Sequence, residues 1–386
     1  MRSGWRSVRL SDAVRIDRNQ GMHSGLPYVG LEDIESGTAR FSGSLSPSSV
    51  KSTTFRFTPA HVLYGRLRPY LNKVLAPDFE GHCSTEIFPL KPLPNVLREF
   101  IVYWLLRDAT VTQATETARG ARMPRANVEE MLEFEFPLPP LDEQRRIVAI
   151  LDDAFEGIAK ARANAERNIE NARAIFEIEL AAVFTRPNDR SVARHLQDVC
   201  HEITVGHVGS MASKYQESGI PFLRSQNIRP FEVLLENVVY IDEAFHGQLK
   251  KSQLRPGDVA IVRTGYPGTA AVIPDSLPVC NCSDLVIVRP GTDVDSHYLA
   301  LFFNSRAGKE MVAGRLVGAA QRHFNVTAAK QVFIAIPPLS EQRNLVKKLN
   351  VFGRESQRLE TTFRRKLAAH DELKASLLHH AFAGEL

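Results

Sequence analysis

The sequence predicts an α+β protein written twice: two tandem α/β domains, each followed by one long helix, the helices pairing as an antiparallel coiled coil in a pseudo-two-fold internal duplication. Three observations predict it. The segment from Phe136 to Val148, Phe-Pro-Leu-Pro-Pro-Leu-Asp-Glu-Gln-Arg-Arg-Ile-Val, returns at 334–346 as Ile-Ala-Ile-Pro-Pro-Leu-Ser-Glu-Gln-Arg-Asn-Leu-Val, an offset of 198. The 386 residues exceed the roughly 250–300 at which single cores stop growing, so each copy is a domain-sized unit rather than a solenoid repeat. The stretches after the two proline pairs, 141–184 and 339–382, hold no proline and one glycine each, Gly157 and Gly353.

The first domain is placed at 1–138 and the second at 187–336. Both are rich in Gly, Pro and short apolar runs such as Asp284-Leu285-Val286-Ile287-Val288, which read as strands between turns, with a helix near Phe100–Arg107 and its counterpart near His297–Asn304. At the same offset Gly120-Ala121 meets Gly318-Ala319 and Asn127-Val128 meets Asn325-Val326. Nearer the start of each copy the matches drift, Leu10-Ser11-Asp12 pairing with Leu196-Gln197-Asp198 at 186, so length changes fall in the early loops.

The long helices are placed at 139–186 and 337–386. Each follows two prolines, with Asp142 or Ser340 expected as N-cap and Glu143 or Glu341 in the first turn. Stepping by four and three from Ile147 gives Leu151, Ala154, Ile158, Ala161, Ala165, Asn168, Ala172, Ile175 and Glu179. The same steps from Leu345 give Leu349, Phe352, Ser356, Leu359, Phe363, Lys366, His370, Leu373 and Leu377. Antiparallel pairing about the midpoints would set Ala161 against Phe363, Ala165 against Leu359, Asn168 against Ser356 and Ala172 against Phe352, small residues opposing large ones.

Composition excludes several classes. Hydrophobic residues make up 44% and charged residues 24%, which argues for folded cores and against disorder. No apolar run approaches the ~20 residues of a membrane span and no apolar segment follows the charged start, so a cytoplasmic protein without a membrane association is expected. Cys83, Cys200, Cys280 and Cys282 fit neither a zinc nor a thioredoxin spacing, and the adjacent His379 and His380 point about 100° apart on a helix, so no metal site is expected.

Formal net charge is +4, but it is uneven: residues 1–125 carry 17 basic and 11 acidic side chains. Arg66, Arg68 and Lys73 form one cluster, near Tyr64 and Tyr70, and Arg119, Arg122 and Arg125 another. Clustered arginines with tyrosines suit a surface that contacts phosphates and bases; on composition alone a solvated basic face serves equally well. No phosphate-binding loop, dinucleotide fingerprint, nucleophile elbow or zincin helix occurs. Pro77-Asp78 with Glu86 lacks the lysine of a nuclease site and reads as a turn, while Glu86 and Asp284 stand at equivalent places and so read as structural. No catalysis by this chain is expected.

A domain followed by a long helix, twice, with Pro-Leu-Pro-Pro-Leu-Asp-Glu-Gln-Arg at 137–145 and Ile-Pro-Pro-Leu-Ser-Glu-Gln-Arg at 336–343, resembles the specificity subunit of type I restriction-modification systems over the whole chain. The ending from His380 to Leu386 and the segment Gly318–Asn325 are similar to that family too. The resemblance implies two target-recognition domains, each reading one half of a bipartite sequence in double-stranded DNA. It implies a coiled coil that spaces them and docks two methyltransferase subunits, with translocase/endonuclease subunits joining. It also implies no cofactor on this chain, S-adenosylmethionine and ATP/Mg being held by the partners. Two domains on a rigid rod would engage one DNA face about one helical turn apart.

On that reading Arg66, Arg68, Tyr70, Lys73, Arg122 and Arg125 are the DNA-binding candidates of the first domain. Arg224, Gln226, Asn227, Arg229, Arg263, Tyr266, Gln321, Arg322 and His323 are those of the second. Arginine pairs bidentately with guanine, lysine suits phosphate, and Gln and Asn match adenine N6 and N7. Glu143, Gln144, Arg145, Glu341, Gln342 and Arg343 are partner-docking candidates, with first-turn electrostatics as the competing explanation for the glutamates. The alternative function is a stand-alone DNA-binding regulator or scaffold built from the same tandem domains.

Overall fold

The computed structural model describes residues 4–23, 25–185, 190–318 and 322–386. The chain forms two compact units, one of residues 1–166 with 364–386 and one of residues 167–363. The elements of the first unit run β1 (Arg6–Arg9), β2 (Val14–Ile16), β3 (Gln20–Gly21), β4 (Tyr28–Val29), β5 (Thr54–Phe57), β6 (Val62–Gly65), β7 (Val74–Leu75), β8 (Gly81–Cys83), β9 (Ile87–Pro92), α1 (Arg98–Leu105), α2 (Asp108–Glu116), α3 (Val128–Met131) and β10 (Glu135–Leu138). Helix α4 (Leu141–Thr185) then passes into the second unit.

Two four-stranded sheets, β2-β9-β6-β7 and β3-β5-β8-β4, build the first domain. Four consecutive residues of β9, Ile87 to Leu90, are buried, as expected of a central strand covered on both faces. A separate ladder pairs β1 antiparallel with β10, Arg6 opposite Leu138, so the strand that leads into Pro139-Pro140 and α4 is clasped before the helix begins. Phe100 and Trp104 of α1 pack edge-on against Phe136 of β10, at ring separations of 5.9 and 5.3 Å.

The second unit repeats the plan with β11 (Val192–His195), β12 (Cys200–Val205), β13 (Ile220–Leu223), β14 (Ile228–Arg229), β15 (Glu232–Val233), β16 (Val239–Ile241), α5 (Glu243–Gln248), β17 (Gln253–Leu254), β18 (Val259–Val262), β19 (Ala270–Val272), β20 (Cys280–Cys282), β21 (Leu285–Pro290), α6 (Ser296–Asn304), α7 (Arg306–Ala313), α8 (Val326–Lys330), β22 (Phe333–Ile336) and α9 (Leu339–Ala383). Its sheets are β12-β21-β18-β19 and β16-β13-β20-β17, with a short β14-β15 hairpin, and β11 clasps β22 as β1 clasps β10. The helices expected near Phe100 and His297 are α1 and α6, each continued by a second helix.

Helices α4 and α9 begin one residue before the expected caps. The carbonyls of Pro140 and Pro338 accept from the N–H groups of Gln144 and Gln342, leaving Asp142 and Ser340 inside the first turn. Each helix has 45 residues, about 68 Å at 1.5 Å per residue. Among the described residues no helix is long and apolar enough to cross a membrane.

Within each unit the α4 and α9 segments run antiparallel. In the first unit Arg162 pairs with Asp371 and the Lys374 ammonium lies 5.0 Å from the Phe155 ring centroid. In the second, the Ser356 hydroxyl donates to the Ala172 carbonyl at 2.8 Å and Arg173 pairs with Glu360. The expected facing is therefore corrected by one helical turn, since Ser356 meets Ala172 rather than Asn168. The seam also changes phase. Strict four-three stepping holds to Ala165 on α4 and to Ser356 on α9; beyond them Ile169, Ala172, Phe176 and Leu180 turn inward on α4, and Glu360, Phe363, Leu367, His370, Lys374 and Leu378 on α9. Asn168, Ile175, Lys366 and Leu373 are exposed instead, as is Leu359, and Glu179 lies off the seam in an ion pair with Lys348. An α-helix has 3.6 residues per turn, so a 3.5 period drifts by about 20° per heptad, and an extra step of four restores the apolar path. Small still opposes large, in a different pair: a Cβ on Gly353 would lie 3.3 Å from the Phe176 ring.

The far end of each helix completes a core. In the first unit Phe382 of α9 packs on Phe100 of α1 at 4.8 Å, and Leu378 and Ala381 are buried with it. In the second, Phe184 of α4 packs on Tyr298 of α6 at 5.3 Å. The register yields a test in the full-length protein. Mild oxidation should cross-link the Ala172→Cys, Ser356→Cys pair and leave the Asn168→Cys, Ser356→Cys pair reduced, read by peptide mass spectrometry; the reverse result would reinstate the midpoint register.

Candidate nucleic-acid interface

The hairpin between β6 and β7 carries the first basic cluster. Arg68 and Asn72 take left-handed backbone conformations, φ 52° and 45°, around the one-turn helix Pro69–Leu71, and this presents Tyr70 with 54% of its surface exposed. The Arg68 N–H donates to the Pro124 carbonyl at 2.7 Å, and Arg119 and Arg125 exchange backbone hydrogen bonds, so the second basic loop lies directly against the first. Gly120, at φ 101°, makes that second turn without a side-chain clash.

Between the loops sits Glu86. Its carboxylate accepts from Arg66 Nε at 3.1 Å and from Arg125 Nε at 2.9 Å, and Arg125 also donates to the Met123 carbonyl. The Arg66 guanidinium stacks 5.1 Å from the centroid of Phe88. Burial pushes the Glu86 carboxyl up, but the hydrogen bonds and charge of Arg125 and Arg66 outweigh it and hold the group below the usual glutamate range. Sequence reasoning placed Glu86 as structural without seeing these partners, which lie 20 and 39 positions away. Arg68 and Arg122 are exposed. Two members of the cluster are spent elsewhere: Lys73 donates to the Ile34 carbonyl, and Tyr64 is buried in the core, where burial raises its phenol well above normal.

The second unit rebuilds this plan with other residues. Gly65 pairs with Ile87 as Val262 pairs with Leu285, and the Ala126 N–H meets the Arg66 carbonyl as that of Phe324 meets Arg263. Arg263, Asp284 and His323 therefore stand where Arg66, Glu86 and Arg125 stand. Asp284 accepts from Thr264 and from Ser225, and Arg263 Nε donates to the Phe324 carbonyl with only 14% of its side chain exposed.

The loop 224–229 and the β18–β19 hairpin enclose a groove of about 920 Å³ lined by Gln226, Arg229, Tyr266 and Lys309 over an apolar floor of Ile228, Val262 and Pro267. Tyr266 is 82% exposed at its rim. Arg224 donates to the Asn237 carbonyl at 2.9 Å and stacks on Tyr215. Asn227 is corrected from base contact to scaffold: it is buried, accepts from the Arg224 N–H and donates to the Leu234 carbonyl, so its amide has no edge for a base. Arg322 is exposed and His323 half-buried in a bridge with Val317, while Gln321 lies outside the described residues.

The docking candidates divide. Gln144 and Gln342 are fully buried. Gln144 Nε2 donates to the carbonyls of Asn95 and Pro139 at 3.0 and 2.8 Å, and its Oε1 accepts from the Leu97 N–H at 2.8 Å. Gln342 does the same with Asp293, Pro337 and Asp295, each at 2.8 Å. These amides are internal staples and not a docking surface. Glu143 pairs with Arg146 and Arg145 with Asp142; Arg343 lies 3.9 Å from Asp295, and Glu341 is half-buried beside a cleft lined by Arg190, Ser340 and Lys348.

The fold and its loops define a duplicated protein: two like domains, each presenting polar hairpins. Residues 27–168 match the Type I restriction modification DNA specificity domain. The EcoDI specificity subunit of Escherichia coli is 29% identical over 149 residues, 37% of this chain and 33% of that protein, so the chain spans about a third of that relative's length. The EcoKI specificity subunit of E. coli K12 is 21% identical over 330 residues, 77% of this chain and 67% of that protein. Among solved structures, a chain described under complex assembly and conformational transition of the type I R-M system superposes with TM-score 0.84 at 23% identity, covering 100% of this chain and 99% of that one. The HsdS subunit of Thermoanaerobacter tengcongensis gives 0.65 at 22%, covering 100% and 98%. Over residues 27–168 the sequence is thus similar to that specificity domain, and the two solved structures share the fold of the whole chain.

Two tests follow from the geometry. Gln144→Ala leaves a buried N–H and two carbonyls unsatisfied and should cost about 2–3 kcal/mol, lowering the urea midpoint; an unchanged midpoint would return Gln144 to a docking role. Because the folded-state pKa of Glu86 is depressed, its ion pairs contribute stability above the ordinary glutamate range, and that contribution is lost as pH falls through the depressed value. Glu86→Gln should therefore lower the Tm at neutral pH, with the gap from wild type closing below about pH 4; a gap that persists in acid would contradict this.

Proposed function

We propose that this chain is the DNA-sequence specificity subunit of a type I restriction-modification complex, with each domain reading one half of a bipartite duplex target. The observation that carries the reading is the match of the first domain to a DNA specificity domain in a chain whose second unit repeats the same strands, clasp and helix. The loops supply suitable chemistry: arginine forks for guanine, Gln226 for adenine, and exposed cations for phosphates. The α4 and α9 helices set the separation of the half-sites and offer surfaces to two methyltransferase subunits, with translocase/endonuclease subunits joining them. S-adenosylmethionine and ATP with magnesium belong to those partners, and this chain is non-catalytic.

Co-expression of the full-length chain with type I methyltransferase subunits, followed by sequencing of the host methylome, tests the reading. The expected result is a new two-part motif with methylated adenines in both halves and an unread gap of fixed length. A motif in one uninterrupted block, or none from an assembled complex that still binds DNA, would overturn it in favour of a stand-alone regulator.

A further inference from the structure

We infer that Arg66 is the guanine reader of the first domain and that Glu86 is the positioning residue that aims it, while the equivalent Arg263 of the second domain reads no base. The inference rests on the proposed DNA-specificity role and adds which residue reads which base.

The assignment follows from how each guanidinium is spent. Arg125 gives Nε to the Glu86 carboxylate and Nη1 to the Met123 carbonyl, with Nη2 2.8 Å from the same carboxylate. It is consumed in holding Glu86. Arg66 is bound through Nε alone, its flat face lies over Phe88, and its side chain is 33% exposed. The two terminal amino groups of Arg66 are thus carried on a guanidinium whose other edge and one face are fixed, which removes most of the rotamer entropy that binding would otherwise cost. Two parallel N–H donors match two adjacent acceptors, and in the major groove guanine alone offers them, at O6 and N7. The carboxylate also selects against a phosphate contact. An anion brought to Arg66 would approach the Glu86 charge, whereas a guanine edge is neutral.

The second domain carries the converse arrangement. Arg263, its side chain only 14% exposed, is turned inward with Nε on the Phe324 carbonyl and Nη1 3.9 Å from Asp284, Asp284 takes hydroxyl donors from Ser225 and Thr264, and Val286 replaces the aromatic ring of Phe88. Reading there passes to the groove that holds Gln226 and Tyr266. The two half-sites are therefore chemically unlike, with an arginine-read guanine in the first domain's half only at this position.

The test uses the full-length chain assembled with methyltransferase subunits and a randomised duplex DNA library, with base preference read position by position. Arg66→Lys keeps the charge and removes the fork. It should lower the guanine preference at one position of one half-site by about tenfold or more, leaving the other half-site unaltered. Glu86→Gln should weaken the same preference while raising affinity for non-target DNA, which a purely structural loss would not do. Arg68→Ala should lower affinity across all sequences alike. A wild-type bipartite motif that Arg66→Lys leaves unaltered overturns the inference and spares the specificity role; a wild type that enriches no bipartite motif removes both. Should Glu86→Gln fail to fold, the Arg66→Lys comparison decides alone.

Discussion

Each unit hangs on one buried amide. Where a β-rich domain hands over to a long helix, the chain must leave a strand, pass two prolines without N–H donors, and start a helix in a fixed direction. Gln144 and Gln342 solve this identically, each tying together the proline exit, the loop before α1 or α6, and the N–H of the residue that opens that helix. Glutamate could not donate to two carbonyls, and leucine of similar size could neither donate nor accept. The direction of α4 and α9 relative to the domain they leave follows from these three hydrogen bonds and from the β1-β10 and β11-β22 clasps behind them.

Fixed at its start, each helix is then constrained by its partner. A seam between straight helices cannot follow a strict seven-residue repeat for 45 residues without supercoiling, and here both helices take an extra step of four, after Ala165 on α4 and after Ser356 on α9. The phase steps keep an apolar path facing the partner helix in both units. They also bring Phe184 and Phe382 into register with Tyr298 and Phe100, so each unit's core includes the end of one long helix as well as the start of the other.

The duplication, both long helices and the flanking helices α1 and α6 were legible because they rest on local pattern: a repeated motif, the absence of proline, and 3.6-residue periodicity. The facing of the seam was not, since the four-three periodicity of each helix is the same in registers one turn apart. Gln144 and Gln342 looked like surface residues because they sit between charged neighbours, and nothing local reveals that the helix presents them to the domain. Asn227 failed for a related reason. An amide in a polar loop satisfies backbone groups as readily as a base, and its burial is decided by Leu234 and Arg224 closing over it. Glu86 was located by symmetry with Asp284, but its meaning depended on Arg66 and Arg125, partners that only the tertiary fold assembles.

The two domains show what the scaffold holds constant and what it releases. Strand order around the central sheet, the strand clasp, the glutamine staple and the crossing of the two polar loops recur with the same backbone hydrogen bonds. At the position between those loops, a carboxylate is retained while its hydrogen-bond donors change: two guanidiniums in one unit, two hydroxyls in the other, where Arg263 stays as an ion pair at 3.9 Å. A buried or half-buried carboxylate needs donors, so a change at Arg66 or Arg125 must be answered nearby or stability falls. In the second unit Ser225 and Thr264 supply that answer, and Arg263, still 3.9 Å from Asp284, gives its Nε to the Phe324 carbonyl. Chemistry at the loop tips can thus diverge while the carboxylate keeps the hairpin ends together, which lets one fold present two different surfaces.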